Sequence, residues 1–287
     1  MTFAVYAWIA SFAFGFVSII GKLTNKYAIP NVWLFNFLWM LFSLLITIPV
    51  AFLNGATLPT HWPSLILVSI FNAVFGILYI LSLSLLDISV LIPLMNLRTA
   101  FVAIFSAIFL GEILMLYQYL LIALIFIGGL FVSVDEKLSI RSFFRWPIFV
   151  GILCTLSYTF YGISINWSIG KNGYWGVTLW MAALSQIMLL LTYPFFKKDI
   201  GKLNLKQIIS VFAMSIMLAI GIFTENRAYQ DNVTITSIIT ALPLSMVLAF
   251  LLSYFAPKLL EKHTFKVYAI RFTAAAVMII CALKLSL

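Results

Sequence analysis

The amino-acid sequence predicts an all-α polytopic membrane protein with ten transmembrane helices, arranged as two inverted five-helix repeats. Three observations predict this fold: the composition, the lengths of the apolar runs, and the similarity between the two halves. Of 287 residues, 64% are hydrophobic and 9% are charged, and the mean hydropathy is +1.15. A soluble domain carries about 25% charged residues, so this chain has too few to cover a water-facing surface.

Ten apolar runs are long enough to cross a bilayer. A spanning helix needs about 20 mostly apolar residues, and dividing the chain at charged residues, Pro and Gly produces runs of about that length. The predicted helices are residues 3–20, 31–53, 64–84, 88–110, 116–134, 147–167, 174–195, 207–228, 233–256 and 266–285. The connections are short, so no soluble domain is expected. The first run lacks a basic leader, which favours a retained helix over a signal peptide.

The two halves of the sequence share an ordered pattern. The segment SFAFGFVSI at 11–19 aligns with SYTFYGISI at 157–165, and Asp87 aligns with Asp231 at nearly the same offset. An odd number of helices per repeat places the halves in opposite orientations, as in many secondary transporters with a substrate site near the midplane. The predicted units are a first repeat at 1–134, a connecting loop at 135–146 and a second repeat at 147–287.

Basic residues gather in alternate loops. Twelve of them lie in loops 1, 5, 7 and 9, and three on the other face. The twelve are Lys22, Lys26, Lys137, Arg141, Arg145, Lys197, Lys198, Lys202, Lys206, Lys258, Lys262 and Lys266. Because basic loops are typically cytoplasmic, this bias predicts that both termini lie outside. We expect the basic residues behind the net charge of +9 to interact with anionic lipid and not with nucleic acid.

One part of the first repeat resembles a known family. The stretch DISVLIPLMNLRTAFVAIFSAIFLGE, followed by YQYLLIALIFIGGLFV, is similar to the repeat of the drug/metabolite transporter (DMT) superfamily, EamA type. The second copy departs from the pattern, since Leu-Leu-Glu261 replaces Leu-Gly-Glu. The resemblance implies a ten-helix carrier whose cavity is lined mainly by helices 1, 3, 4, 6, 8 and 9. Many members of that family are drawn with both termini inside, opposite to the charge-based prediction.

Arg98 is the charge that most needs an explanation. It lies ten residues after Ile88, near the bilayer centre, where a charge costs at least about 2.5–3.5 kcal/mol and usually faces a cavity or a partner. We predict that Arg98 binds substrate; the alternative is a structural pair with a carboxylate or with helix carbonyls. Glu225, near the end of the eighth run, is either a solvated helix end or the carboxylate partner of Arg98.

Other candidates are polar and aromatic side chains inside the runs. Apart from Arg98 and Glu225, the predicted substrate-binding residues are Asn96, Asn226, Asn72, Tyr79, Phe12, Tyr158, Tyr161 and Trp180. For the aromatic residues, packing between helices is the alternative. Pro93 frees the carbonyl of Ser89, and Pro243 frees that of Ile239. Unwound backbone at these points could line a site, but a packed kink is the more common outcome. Arg227 and Asp231, four residues apart, are predicted to pair at the helix end.

These features predict a secondary transporter, either an exporter, an exchanger or a facilitator. A midplane Arg suits a small polar metabolite such as an amino acid or another carboxylate-bearing compound, moved by alternating access between the repeats. There is no phosphate-binding loop for ATP, and the scarcity of intramembrane acids favours exchange or facilitated flow over a proton relay. Proton coupling stays open as an alternative, with Glu225 as its candidate residue. A lipid-carrier flippase or a non-transporting membrane sensor stays open as an alternative.

An intramembrane enzyme is not expected. His61 and His263 fall in loops, and Cys154 and Cys281 lie in separate apolar runs, so no catalytic or metal-binding cluster is predicted. We expect no cofactor. The expected partners are a small-molecule substrate and the lipid bilayer, with the chain acting as a monomer in the inner (cytoplasmic) membrane of a prokaryote.

Overall fold

The structure, a computed structural model, describes residues 2–86, 88–111, 114–132, 146–244, 248 and 265–286. Within these residues the secondary structure is helical, without strands. The main helices are α1 (Phe3–Tyr27), α2 (Val32–Leu53), α3 (Trp62–Leu85), α4 (Ile88–Phe109), α5 (Leu116–Val132), α6 (Trp146–Asn172), α7 (Tyr174–Leu189), α8 (Leu205–Tyr229), α9 (Val233–Thr240) and α10 (Phe265–Ser286). A 3₁₀ segment, Leu190–Phe195, extends α7, and a single turn, Lys197–Ile200, follows it.

Six of the helices are long and apolar enough to cross a membrane: α1, α2, α3, α6, α7 with its 3₁₀ extension, and α8. Shorter apolar helical segments lie in α4, α5 and α10. The predicted class, an all-α polytopic membrane protein, is therefore confirmed. The division into two repeats, and the helix at the predicted ninth run beyond residue 244, depend on segments that include residues outside the described ranges, as do Asp87, Glu261 and the loop 133–145.

Polar side chains fix where several helices begin. Asn31 accepts from two backbone N–H groups at the start of α2, and Asn232 accepts from Ile235 N at the start of α9. Asn204 and Gln207 form a capping box at the start of α8. Each cap satisfies N–H groups that the first helical turn leaves without partners. The caps explain why α8 begins two residues before the predicted run.

The helices run alternately between two ends of the bundle. We call the basic end the one where α1 and α3 finish and where α2 and α8 begin. It carries Lys22, Lys26, Lys197, Lys198, Lys202 and Lys206. The opposite end is called the far end. Lys22 donates to Leu83 O at 2.9 Å and to Leu86 O at 2.7 Å, so this predicted loop cation caps the C-terminus of α3, where a helix carries partial negative charge.

Two helix pairs make the main contacts between the halves of the chain: α1 lies along α8, and α3 lies along α6. Two polar contacts reinforce neighbouring pairs. Ser215 donates to Trp39 O at 2.9 Å between α8 and α2, and Ser185 donates to Ser69 O at 3.0 Å between α7 and α3. Ser185 lies 146 residues after Trp39, and Ser215 lies 146 residues after Ser69. The two contacts therefore join equivalent positions of the predicted duplication.

Candidate functional site

A cavity lies at the centre of the bundle and extends toward the basic end. Its walls come from the second half of α3, the first half of α4, the middle of α1, α2 and α6, the second half of α8, and the last turn of α9 with the residues after it. All six helices that the family resemblance implies contribute, together with α2. The empty space between its walls is about 980 Å³, a volume that includes the solvent at its opening.

Arg98 and Glu225 meet in the wall of this cavity as an ion pair. Arg98 Nη1 lies 3.5 Å from Glu225 Oε1, and the two side chains are 0% and 1% exposed. Arg98 Nη1 also donates to Thr240 Oγ1 at 3.2 Å, in the last turn of α9. The pair joins α4 of the first half to α8 and α9 of the second. A buried charge is tolerated where it is paired and hydrogen-bonded, and here the two charges neutralise each other.

Two tyrosines complete the environment of the pair. The Arg98 guanidinium carbon stands 3.4 Å from the centroid of the Tyr158 ring, an arrangement in which the ring face attracts the cation. Tyr158 Oη donates to Glu225 Oε1 at 2.6 Å, and Tyr229 Oη donates to the same oxygen at 2.8 Å. Arg98 Nη2 donates to Tyr229 Oη. One carboxylate oxygen of Glu225 therefore accepts hydrogen bonds from two phenol groups and also faces the guanidinium of Arg98.

The position of Glu225 follows from the direction of side chains in a helix. Its Cα lies one turn from the end of α8, but helical side chains lean toward the N-terminus of their helix, here toward the centre of the bundle. The far end is also closed over it, since Asn166 Nδ2 donates to Tyr229 O at 2.6 Å and ties α6 to the last residue of α8. Glu225 is thus not a solvated helix end.

The break at Pro243 contributes backbone to the cavity. Helix α9 ends at Thr240, and residues 240–242 line the cavity. The carbonyl of Ile239, which the proline leaves without its helical partner, accepts a hydrogen bond from Ser11 Oγ of α1 at 2.8 Å. Backbone at and beyond the end of α9 thus lines the cavity, whereas α4 stays helical across Pro93.

Three further predicted residues line the cavity: Asn72, Tyr79 and Tyr161. Tyr79 Oη and Ser18 Oγ share a hydrogen bond of 3.0 Å, and Asn72 Nδ2 donates to Ser185 Oγ at 3.0 Å. The Tyr79 ring also belongs to a row of aromatic rings along the wall. The consecutive ring centroids of Tyr158, Phe75, Tyr79 and Trp39 are 4.2, 5.6 and 5.7 Å apart.

Four predicted residues do not line the cavity. Phe12 is 52% exposed and faces outward, while its neighbour Ser11 faces inward. Asn96 is buried, and within the described part of the chain its amide has no hydrogen-bond partner. Asn226 is buried and accepts from Tyr161 Oη at 2.7 Å. Trp180 lies at the far end and donates to Thr57 O.

Sequence reasoning missed Tyr229, Thr240 and Gly162. Tyr229 follows Glu225 by four residues, so the helical period placed both on one face, and that signal was available. Gly162 has no such signal, because its role depends on how closely α6 approaches α8. A Cβ at Gly162 would stand 3.2 Å from the Tyr229 ring and 3.3 Å from Arg98 Nη2.

We expect the substitution Gly162→Ala to disturb the site through this contact. The added methyl group would displace Tyr229 or Arg98 by a few tenths of an ångström, and overpacking of this kind costs about 1–3 kcal/mol. Thermal unfolding of the purified protein should occur at a lower temperature. The matched control is Gly170→Ala in the same helix, where nothing lies within 4 Å of the new Cβ. Equal unfolding temperatures for the two variants would contradict the proposed close contact.

The predicted pair of Arg227 and Asp231 is wrong. Both residues are exposed, but Arg227 Nη1 donates to Gln230 Oε1 and its guanidinium lies 5.7 Å from the Tyr174 ring centroid. The last turn of α8 is followed by a turn and not by more helix, so position 231 no longer lies one helical turn above Arg227.

The described residues contain no group of three His, Cys, Asp or Glu side chains that could hold a metal ion. Cys154 and Cys281 are both buried and free. The polar groups that converge in the cavity are therefore the ion pair, the hydroxyl groups and the amides described above.

The chain is similar to a known protein family and to a solved structure. Residues 1–134 match the EamA-like transporter family. A solved crystal structure shares the fold with a TM-score of 0.72 and 16% sequence identity, over 99% of this chain and 98% of that chain. No curated protein matches the chain. The resemblance to the DMT superfamily is thus confirmed by the match of residues 1–134 to the EamA-like transporter family.

Proposed function

We propose that this protein is a secondary transporter that exchanges or equilibrates a small zwitterionic metabolite with an apolar body, amino acids being the leading class. The observation that carries the proposal is the buried Arg98–Glu225 pair in the wall of a central cavity. The match of residues 1–134 to a transporter family supports a carrier. The substrate class is argued from the charges at the site.

The charge balance of the site favours a zwitterion over a simple anion. From the sequence, Arg98 alone suits any carboxylate. In the structure, Glu225 already neutralises Arg98, so a simple anion that displaced Glu225 would leave an acid buried without its partner, which is costly. A zwitterion inserts into the pair without this cost, because its carboxylate replaces Glu225 on Arg98 while its ammonium group satisfies Glu225.

The rest of the wall favours an apolar body on the substrate. Beyond the pair, the cavity presents aromatic and aliphatic side chains, among them Phe14, Trp39, Phe75, Leu83 and Leu218. Ordinary ligand sites combine such apolar walls with a few polar groups that fix orientation. The ion pair at one end of the cavity would hold the charged head of the substrate, and the row of rings would contact its body.

Alternating access between two inverted repeats is the proposed mechanism. The pairing of α1 with α8 and of α3 with α6, and the equivalent contacts at Trp39–Ser215 and Ser69–Ser185, support a two-fold related arrangement. Rocking of one repeat against the other would then expose the central site first at one end and then at the other. The proposed setting is the inner membrane of a prokaryote.

A lipid-carrier flippase is the less favoured reading of the same fold. The described apolar groove on the outside of the bundle lies between α5 and α10, lined by residues such as Leu124, Ile127 and Val277. None of its lining residues belongs to the wall that contains Arg98. A polar head group bound at the pair would therefore lie apart from this groove, which supports a carrier for small molecules.

Counterflow in proteoliposomes tests the proposal. Vesicles containing the purified protein would be loaded with leucine or a panel of other amino acids, and entry of the radiolabelled compound would be followed. N-Acetylleucine, an anion, and leucine methyl ester, a cation, serve as analogues that keep the body and remove one charge. We expect accumulation with one or more zwitterions and little with either analogue.

Two results would contradict the proposal. Accumulation of the anionic analogue at the rate of the zwitterion would contradict the charge argument. Movement of a lipid-linked compound without any small-molecule counterflow would favour the flippase. Protein-free vesicles provide the background rate.

A further inference from the structure

A compact polar network joins α3 and α6 at the far end of the bundle. Asn172, the last residue of α6, accepts from Thr60 N at 2.9 Å and from His61 N at 2.7 Å through its Oδ1. Its Nδ2 donates to His61 O at 3.1 Å and to Ser64 Oγ at 3.3 Å. Ser64 Oγ in turn donates to Ser168 Oγ at 3.4 Å.

This network spans the boundary between the predicted repeats. Thr60 and His61 directly precede α3, and Ser64 lies in its first turn, in the first half of the chain. Ser168 and Asn172 lie at the end of α6 in the second half. One asparagine amide therefore binds the backbone of a loop on one side and a helix on the other. Separation of α3 from α6 at this end would break these bonds together.

The network and the cavity lie toward opposite ends of the bundle. The cavity reaches from Arg98 toward the basic end, through the second half of α3 and the first half of α4. Between Arg98 and the network, the space is filled by buried side chains that include Leu65, Val68, Ile165 and Tyr229. The far side of the site is thus closed by this packing, with the Asn172 network above it.

The chemistry of the network suits reversible opening. Backbone N–H and C=O groups of Thr60 and His61 at the end of a membrane helix can bond to water once they are released, so each bond has only a modest net free energy. Asn172 itself is 7% exposed, and its two partners in the loop lie nearer the surface. A wholly apolar seal would lack this directional contact.

We propose that Asn172 is the latch that holds the far side of the carrier closed, and that its bonds to residues 60–64 break when the site opens to that side. The inference rests on the proposed transport function, because a latch is needed only if the site faces both sides in turn. Asn172 is a positioning residue here, since it does not touch the cavity.

A thiol-accessibility experiment tests the latch without a substrate. The reporter is Met95→Cys in the cavity wall, in a chain with Cys154→Ala and Cys281→Ala. A membrane-impermeant maleimide would be applied from each side, to right-side-out and inverted vesicles. With Asn172→Ala added, we expect labelling from the far side to rise by about fivefold for each net hydrogen bond lost, and labelling from the basic side to fall.

The matched control is Asn54→Ala at the same end of the bundle. Asn54 is also an asparagine at a helix end, but it donates only to Val50 O within its own helix. This control should leave both labelling rates unchanged. Unchanged far-side labelling in Asn172→Ala, or an equal rise in Asn54→Ala, would overturn the latch.

A cross-link provides a second test in the opposite direction. The Ser64 and Ser168 oxygens are 3.4 Å apart, so Ser64→Cys with Ser168→Cys places two thiols within reach of a disulfide. In the same cysteine-free background, oxidation should abolish counterflow and a reductant should restore it, while either single cysteine should not respond. Full counterflow by the oxidised pair would overturn the latch. If no compound shows counterflow with any variant, the proposed function fails, and the labelling result still decides whether the latch opens.

Discussion

Replacement of Arg98 by Met should reduce counterflow to the rate of protein-free vesicles. The substitution removes the group proposed to hold the substrate carboxylate, and it also removes the guanidinium that stacks on Tyr158 at 3.4 Å and bonds to Thr240 and Tyr229. Arg98→Lys should also lose most of the activity, because an ammonium group lacks the planar fork of donors and stacks poorly on a ring.

The stability of the same variant supplies the control for this prediction. Arg98→Met leaves Glu225 buried without its partner, which typically costs about 3–5 kcal/mol. The double variant Arg98→Met, Glu225→Gln removes both charges and should regain much of the lost stability, but not transport. Thermal unfolding in detergent and counterflow would be measured on both. Substantial counterflow by the well-folded double variant would exclude the pair as the binding site.

The substitution Glu225→Gln should change which charges the carrier accepts. Gln retains an oxygen that can accept from Tyr158 and Tyr229, so the local hydrogen bonds can persist. The site now carries the uncompensated charge of Arg98, which favours an anion and no longer offers a carboxylate to an ammonium group. A hydrogen bond to a charged group contributes about 1.5–3 kcal/mol, so preference for N-acetylleucine over leucine should rise at least about tenfold.

Competition between the two compounds measures this change directly. Each would be tested as an inhibitor of the other's uptake, in the wild type and in Glu225→Gln. The control is Thr224→Ala, which alters the neighbouring residue on α8, whose hydroxyl only bonds to carbonyls of its own helix. An unaltered order of preference in Glu225→Gln would show that Glu225 does not contact the substrate.

The helices were largely predictable from the sequence because helix formation depends mainly on residues that are close together in the chain. Apolar run length and capping residues set the bounds of α2, α3 and α8 to within two residues of the prediction. The break in α9 was also predictable, since Pro243 removes a helical hydrogen bond whatever its surroundings. What the sequence does not specify is how closely two helices approach, which is why Gly162 could not be identified.

The site was predictable in part, and the errors in predicting it have a geometric reason. Arg98 was identified because a charge in an apolar run requires a partner, and that partner is Glu225. The depth of Glu225 was misjudged because distance along the helix axis ignores the lean of the side chain. Phe12 was chosen from the repeat alignment, but the inward position belongs to its neighbour Ser11, about a quarter of a helical turn away.

The hydrogen bond from Ser11 to Ile239 has a consequence for the order in which the protein is made. Its two partners are 228 positions apart in the chain, so α1 enters the bilayer long before the carbonyl that it binds has been synthesised. The same is true of its long contact with α8. During synthesis, α1 must therefore contact lipid, or the helices made soon after it, until α8 and α9 are present. The family match over residues 1–134 consequently describes a unit of sequence, whereas the packing of that unit is completed only when the second half of the chain has arrived.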